Sequence, residues 1–313
     1  MEDVRKKFKG RDLLTLHDFT AEEVNFMLEE AARIKALQKA GIPHPYLRGK
    51  TLAMIFQKSS TRTRVSFEVA MVQLGGYALF LSPKDIQMGR GESIADTARV
   101  LSRFVDGIMI RTYAQGEVEE LAEYAGVPVI NGLTDLTHPC QILADLLTIK
   151  EHKGHLAGLK LAYVGDGNNI AHSLMFGCAK VGMNISIACP EGYRPNEKVV
   201  EQAMQDALAT GVKIEIVTDP VEAVTGADVV VTDVWTSMGQ EAEYQERLKI
   251  FAPYQLNKEL CAYAKEDYIS LHCLPAHRGE EVTDEIIDGP HSAVWDEAEN
   301  RLHAQKAVLA LLM

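Results

Sequence analysis

Residues 51–64 read TLAMIFQKSSTRTR. Thr51–Phe56 is a short apolar run without polar alternation, the pattern of a strand covered on both faces. Hydroxyl residues follow at once; they are natural helix N-caps, and a helix is expected near 62–74. A buried strand feeding a helix is the unit of a parallel sheet, because parallel neighbours need a crossover connection.

The same alternation continues outward from this stretch. In the first half the strands are TLAMIF, YALFLS, GIMIRT and VPVING, with further helices near 93–104 and 117–125. In the second they are LKLAYVG, NISIAC, VKIEIV, DVVVTDVW, YISLHC and AVWDEA, with helices near 169–181, 196–210 and 253–264. The fold class is therefore α/β, with two doubly wound parallel-sheet domains joined by helices. The boundary is expected between residues 1–148 and 149–313. A helix starting at Pro139 and running through QILADLLTIKEHKG bridges the halves, with proline at a favoured first-turn position. NRLHAQKAVLALLM, about 298–313, reads as a last amphipathic helix.

At 313 residues the chain suits two domains, and 47% hydrophobic with 24% charged residues is a globular balance. The net charge of −12 and the lack of a long Lys/Arg run argue against nucleic acid as a partner. An anionic substrate must then be held by local cationic clusters, because the overall field opposes it. The opening MEDVRKKFKGRDLL has no apolar segment of a signal peptide, and no run approaches a membrane span. Five cysteines without a C-x-x-C pair argue against a disulfide framework or a cysteine zinc site, and fit the reducing cytoplasm.

SSTRTR at 59–64 carries the sharpest chemistry. Helix capping alone explains the hydroxyls but not Arg62 and Arg64, which would sit at the positive end of the helix dipole. That placement disfavours cations by roughly 0.3–1 kcal/mol each. Lys58 adds a third charge. An anion reverses the balance, since one charge-assisted contact contributes about 1.5–3 kcal/mol, and free amides, hydroxyls and a guanidinium fork make a phosphate cradle.

Ligands of open α/β sheets bind beyond the carboxyl ends of the strands. The residues at those ends are Arg111, Thr137-His138-Pro139-Cys140-Gln141, Asp166-Gly167-Asn168-Asn169, Asp233-Val234-Trp235 and His272-Cys273-Leu274-Pro275. Each alone has a structural explanation; their shared edge is what points to a site. GDGNN at 165–169 invites a dinucleotide reading, but Ile170 stands where the third glycine belongs and Asp166 would repel a pyrophosphate. No cofactor is expected. His152 and His155 read as solvated, and no metal is expected.

With these motifs in place, the chain resembles the aspartate/ornithine carbamoyltransferase family along essentially its whole length. SSTRTR at 59–64 and HPCQ at 138–141 are shared family signatures. GDGNN at 165–169, DVWTSMG at 233–239 and HCLP at 272–275 point to the ornithine branch. The resemblance implies transfer of a carbamoyl group from carbamoyl phosphate to the side-chain amine of L-ornithine, in arginine biosynthesis or, in reverse, arginine breakdown. It implies that Ser60, Thr61, Arg62 and Thr63 hold the phosphate, with Arg111 bridging phosphate and carbonyl oxygen. His138, Pro139, Cys140 and Gln141 belong to the same pocket, His138 donating to the carbonyl and Gln141 holding the carbamoyl NH2. Gln87 is similar to the residue that reaches a neighbouring subunit's phosphate, implying a homotrimer with shared sites. The last helix would pack back on the first domain and return Arg301 to the carbonyl. Asn169, Asp233, Ser237 and Met238 match ornithine-binding positions, with Cys273 and Leu274 between the substrates.

Arg111, His138, Arg301 and the Thr63 hydroxyl would form an oxyanion hole. Asp233 and Cys273 would orient the amine and receive or relay its proton. A covalent role for Cys273 is the rival, disfavoured because the substrate amine is itself a nucleophile and because strand alternation would turn His272 to the opposite face. Ser237-Met238-Gly239 would belong to a lid, and ornithine would bind second. A nicotinamide oxidoreductase, a sibling transferase for aspartate or putrescine, and a non-catalytic anion binder are the alternatives.

Overall fold

The computed structural model describes residues 2–88, 91–237, 239 and 241–313. The chain forms two compact units, one running to Ala144 and including Asn300–Met313, the other Asp145–Glu299.

The first unit holds strands β1 Thr51–Phe56, β2 Tyr77–Leu81, β3 Gly107–Arg111 and β4 Val129–Leu133, all parallel, in the order β2-β1-β3-β4. Helices α1 Glu2–Lys6, α2 Ala21–Lys39, α3 Thr61–Gln73, α4 Ile94–Leu101 and α5 Gln115–Tyr124 accompany them, and α6 Pro139–Lys153 begins in this unit and ends in the second. The second unit holds β5 Lys160–Val164, β6 Asn184–Ala188, β7 Ile214–Val217, β8 Val229–Thr232 and β9 Ile269–His272, parallel in the order β7-β6-β5-β8-β9. Its helices are α7 Asn169–Val181, α8 Glu197–Ala207, α9 Pro220–Val224, α10 Tyr244–Phe251, α11 Lys258–Cys261, α12 Asp284–Ile287 and the start of α13 Val294–Leu312. Strand order reverses between β1 and β3 in one sheet and between β5 and β8 in the other. Loops leaving the strands there diverge to opposite faces and leave a crevice, where such folds bind ligands.

Apolar burial explains these sheets. Ala53, Ile55, Ile108, Ile110 and Val129 pack with Ala98, Val118 and Leu121 of α4 and α5. Burying one such Val, Leu or Ile contributes about 1.5–3 kcal/mol. In the second unit Val164, Val230, Trp235, Phe251 and Tyr254 share another core. No helix of the described residues is long and apolar enough to cross a membrane.

Several local readings need correction. The second strand is not covered on both faces: Tyr77, Leu79 and Phe80 of edge strand β2 are exposed. AVWDEA is not a strand, because α13 begins at Val294 and only Ser292 bridges to Ser270. Asp296 and Glu297 fall in its first turn, where the helix dipole favours carboxylates. The helix expected at 253–264 is broken. Its start is the 3-10 turn Ala252–Tyr254 with Pro253, and Asn257 then caps a fresh start by accepting from Leu260 N at 2.9 Å. Helix α10 follows the segment expected to form a lid, starting at Tyr244. Helix α2 was signalled by Thr20-x-x-Glu23, a reciprocal capping box with bonds of 2.9 and 3.2 Å.

The last helix is fixed to the first unit by a buried amine. Fully buried Lys306 donates from Nζ to Gln73 Oε1 at 2.9 Å, Gln38 Oε1 at 3.2 Å and His44 Nε2 at 2.6 Å. Burial lowers its pKa from the ordinary 10.5 to about 8. The folded chain therefore holds this proton less tightly than the unfolded chain. Its relative stability should rise as pH climbs from about 8 to 10.5. Melting temperatures of the wild type and Lys306→Met at pH 7, 8.5 and 10 check this: the difference should shift in favour of the wild type with pH. A pH-independent difference would contradict it.

Candidate active site

In the first unit, the edge formed by the carboxyl ends of β1 and β3 gathers the functional groups. The register pairs Phe56 with Arg111, so the loop after β1 and the Arg111 side chain start side by side. Gln57 N donates to Arg111 O at 2.8 Å and ties that loop down. Ser60 caps α3, accepting from Thr63 N at 3.1 Å. The buried hydroxyl of Thr63 then accepts from Arg301 at 3.1 Å and more weakly from Arg111 at 3.4 Å. Arg301 also donates to Gln141 Oε1 at 2.6 Å. With two guanidiniums on its oxygen, the Thr63 hydrogen is directed to donate elsewhere.

His138 is buried beside this cluster, where burial, then Arg301, Arg111 and Arg62, hold its pKa well below 6.5. It is a neutral imidazole at physiological pH. Burial pushes the Cys140 thiol up to about 12, and its sulfur donates to Asn131 O at 3.6 Å, so this cysteine is a packing residue. Pro139 opens α6.

The cations of the 58–64 segment divide. Lys58 pairs with Asp135 and lies over the Tyr113 ring at 4.3 Å. Arg64 pairs with Glu68 at 3.0 Å and covers Phe80 at 3.7 Å. Both are compensated within the unit, and Arg62 lies half-buried in the first turn of α3. The sequence reading also missed the support behind His138. Thr134 Oγ1 donates to Gln115 Oε1 at 2.7 Å, and buried Asn131 reaches Leu14 O at 2.9 Å and Thr137 Oγ1 at 3.1 Å. An asparagine inside an apolar strand was the available signal. Gln87 is exposed on the segment after β2.

The second unit carries an acidic counterpart. Asn168 caps α7, its Oδ1 accepting from Ile170 N at 2.9 Å and Ala171 N at 3.3 Å. The cap fixes the amide orientation, so Nδ2 must be the group that donates to Asp233 Oδ2 at 2.9 Å. Asp233 Oδ1 accepts from Val234 N at 2.8 Å and from the Cys273 thiol at 3.1 Å. Gly167 permits the loop's course, because a Cβ there would meet Pro195 N at 2.3 Å. Asp166 pairs with Arg247, which also donates to Trp235 O at 2.5 Å. Burial raises the Asp166 pKa to about 6 against that pairing.

Burial and Asp233 push the Cys273 thiol well above its ordinary 9.0, so it serves as a hydrogen-bond donor and not as a thiolate nucleophile. His272 does not turn away as alternation suggested. It is the last strand residue, and a ring nitrogen lies within 4.8 Å of ligand atoms of both Cys273 and Asp233. This trio, and His277 with Glu280 and Glu281, have metal-like spacing. Hydrogen bonds already employ both groups, however, through Leu274 N and Glu281 in the first and Tyr244 in the second. Asn169 begins α7, and Ser237 is half-buried after Trp235. Met238 lies outside the described residues.

Family models match both units. Residues 11–151 match the aspartate/ornithine carbamoyltransferase carbamoyl-P binding domain, and residues 157–312 match the Asp/Orn binding domain. The chain belongs to the aspartate/ornithine carbamoyltransferase family. An ornithine carbamoyltransferase of Carboxydothermus hydrogenoformans is 67% identical over 306 residues, covering 98% of each chain. A Pyrococcus furiosus protein named ornithine carbamoyltransferase, anabolic, is 64% identical over 304 residues, 97% of this chain and 96% of that one. The solved ornithine carbamoyltransferase of Pyrococcus furiosus superposes with a TM-score of 0.95 at 63% identity, covering 98% of both chains. Within the carbamoyltransferase framework, the Thr63–His138–Gln141 cluster falls in the stretch matched as carbamoyl-P binding, and Asp233 and Cys273 in the Asp/Orn binding stretch.

Thr63→Val tests the first cluster. It removes the oxygen on which Arg111 and Arg301 meet while keeping the side-chain shape. Turnover should fall by about 10²–10³, as when one oxyanion-hole donor is removed. Steady-state kinetics with circular dichroism check this, and unchanged turnover in the folded variant would show that the hydroxyl is structural.

Proposed function

We propose that the chain transfers the carbamoyl group of carbamoyl phosphate to the side-chain amine of L-ornithine, giving L-citrulline and phosphate. The observation that carries this reading is the meeting of Arg111 and Arg301 on the Thr63 hydroxyl, with neutral His138 near both arginines. Such a set of fixed donors stabilises an oxygen that gains charge as an amine attacks a carbonyl, often the largest catalytic effect.

The phosphate rests at the start of α3 on Ser60, Thr61, Arg62 and Thr63, with Arg111 between phosphate and carbonyl oxygen. His138, Arg301 and Thr63 donate to that oxygen, and Gln141 accepts from the carbamoyl NH2. Ornithine binds second, against Asn169, Asp233, Ser237 and Met238, with Cys273 and Leu274 beside its side-chain amine. The amine sheds one proton to solvent by way of Asp233, whose charge is held in place by Asn168, Val234 N–H and the Cys273 thiol. It attacks the carbonyl carbon, the C–O bond to phosphate breaks, and the phosphate leaves with the second proton. The physiological direction is toward citrulline, as the name of the Pyrococcus furiosus relative suggests. No cofactor or metal takes part in this scheme. Five free cysteines suit a reducing cytoplasm.

The protein acts as a homotrimer in this reading. Val65 and Val72 of α3 and Tyr77, Leu79 and Phe80 of β2 leave an exposed apolar area on an edge strand, a surface suited to burial against a second copy. Gln87, exposed in the single chain, would reach the phosphate of a neighbour.

Four measurements test these claims. Citrulline should form from ornithine and not from aspartate or putrescine, and Arg62→Leu should lose carbamoyl phosphate affinity by tenfold or more, about 1.4 kcal/mol or above. Because an amine titrating near about 10.4 is mostly protonated at neutrality, kcat/KM for ornithine should climb between about pH 6.5 and 9. His138, held neutral by burial, adds no limb there; a flat profile would contradict the deprotonation step. Mixing inactive Arg62→Leu and Gln87→Ala proteins should restore activity through hybrid trimers, and failure to do so would count against shared sites.

A further inference from the structure

We infer that Glu281 and His272 are positioning residues that hold Cys273 and Leu274 in the shape needed at the amine of the second substrate. The inference rests on the proposed ornithine reading of this unit.

His272 is the last residue of β9 and, like Glu281, is buried, at 2% and 0% exposure. Leu274 N–H donates to His272 Nδ1 at 2.9 Å. That nitrogen is therefore the acceptor, and the proton of the neutral ring sits on Nε2. Nε2 lies 3.0 Å from Glu281 Oε1, which accepts its proton's hydrogen bond and also that of His277 N–H at 2.6 Å. From the other side, the backbone N–H of His272 donates to Glu297 Oε2 at 2.8 Å. The ring is thus set by a carboxylate, and the ring in turn sets a backbone amide. Which histidine nitrogen carries the proton depends on such a partner, and without Glu281 the other tautomer would present a donor to the Leu274 N–H.

That amide matters because Leu274 has φ +57°, a left-handed conformation rare for a leucine. A branched side chain keeps such a backbone only where its surroundings over-determine it. The N–H to Nδ1 bond closes the tight loop from His272 to Leu274 and holds it. Cys273 is the middle residue of that loop. The register pairs Thr232 with His272, so Asp233 and Cys273 leave neighbouring strands together and meet at 3.1 Å. A loop that relaxed would carry the thiol away from Asp233. Both nitrogens of His272 are engaged, so its ring supports this geometry and does not react.

The test compares Glu281→Met with Glu281→Gln in the full-length protein. Methionine removes the acceptor, and KM for ornithine should rise by about tenfold or more with a fall in kcat, a factor corresponding to about 1.4 kcal/mol. Carbamoyl phosphate affinity, which belongs to the other unit, should not change. Glutamine keeps an oxygen for both donors and should recover most of the loss. An ornithine KM equal to wild type in Glu281→Met, an equal loss of carbamoyl phosphate affinity, or a Gln variant as damaged as Met would each overturn the inference. Should Glu281→Met fail to fold, His272→Phe and His272→Asn make the same comparison, since Asn retains an acceptor near the Nδ1 position and Phe does not. Wild type and Asp233→Asn run alongside separate the two ideas. No citrulline from wild type sinks the ornithine reading itself. An impaired Asp233→Asn beside an unaffected Glu281→Met sinks only the brace.

Discussion

Two buried guanidiniums, from Arg111 at the end of β3 and Arg301 on the last helix, meet on the single hydroxyl of Thr63. Like charges brought together where water is scarce repel, and a cation left there without an anion is costly. Much of the first unit can be understood as the apparatus that forces this meeting. Parallel register brings Arg111 beside the loop after β1, the Ser60 cap presents Thr63, and Lys306 anchors the helix that delivers Arg301. The stretch that holds Thr63 and Arg111 matches a carbamoyl-P binding domain, and a chain of net charge −12 must draw such an anion with local cations.

The second unit answers with the opposite sign. Asp233 is held by three donors, from Asn168, its own neighbour Val234 and the Cys273 thiol. A carboxylate so satisfied stays where it is when a cationic amine arrives, and it costs little to reorganise. Burial and that same carboxylate keep Cys273 protonated, so one observation both supplies a donor and removes the covalent alternative. The two units thus divide the problem by charge, one for the anion and one for the amine.

The parallel sheets were legible because their strands are uninterrupted apolar runs, and the polar residues after them necessarily share one edge. That logic put Arg111 and His138 at or after strand ends of the first sheet, and Asp233 and Cys273 after strands of the second. It failed where tertiary context decides. AVWDEA has the composition of a strand, yet its two carboxylates suit a helix start, and Pro253 divides what looked like one helix. Lys58 and Arg64 resembled Arg62 in the sequence, but Asp135 and Glu68 claim them. The period-2 rule misplaced His272 because it stops applying at the residue where the strand ends. Asp135 and Arg247 lie far in sequence from Lys58 and Asp166, which they support, so no local pattern could announce them.

The return of the last helix carries a consequence for synthesis. Residues 300–313 belong to the first unit, yet the ribosome makes them only after all of Asp145–Glu299. The emerging first unit must wait, with Arg111 and Thr63 in place but lacking Arg301 and the Lys306 anchor. Domains generally fold as they emerge, so the second unit is expected to reach its shape before its predecessor can. A nascent chain is thereby unable to bring both arginines onto Thr63 until translation is all but finished.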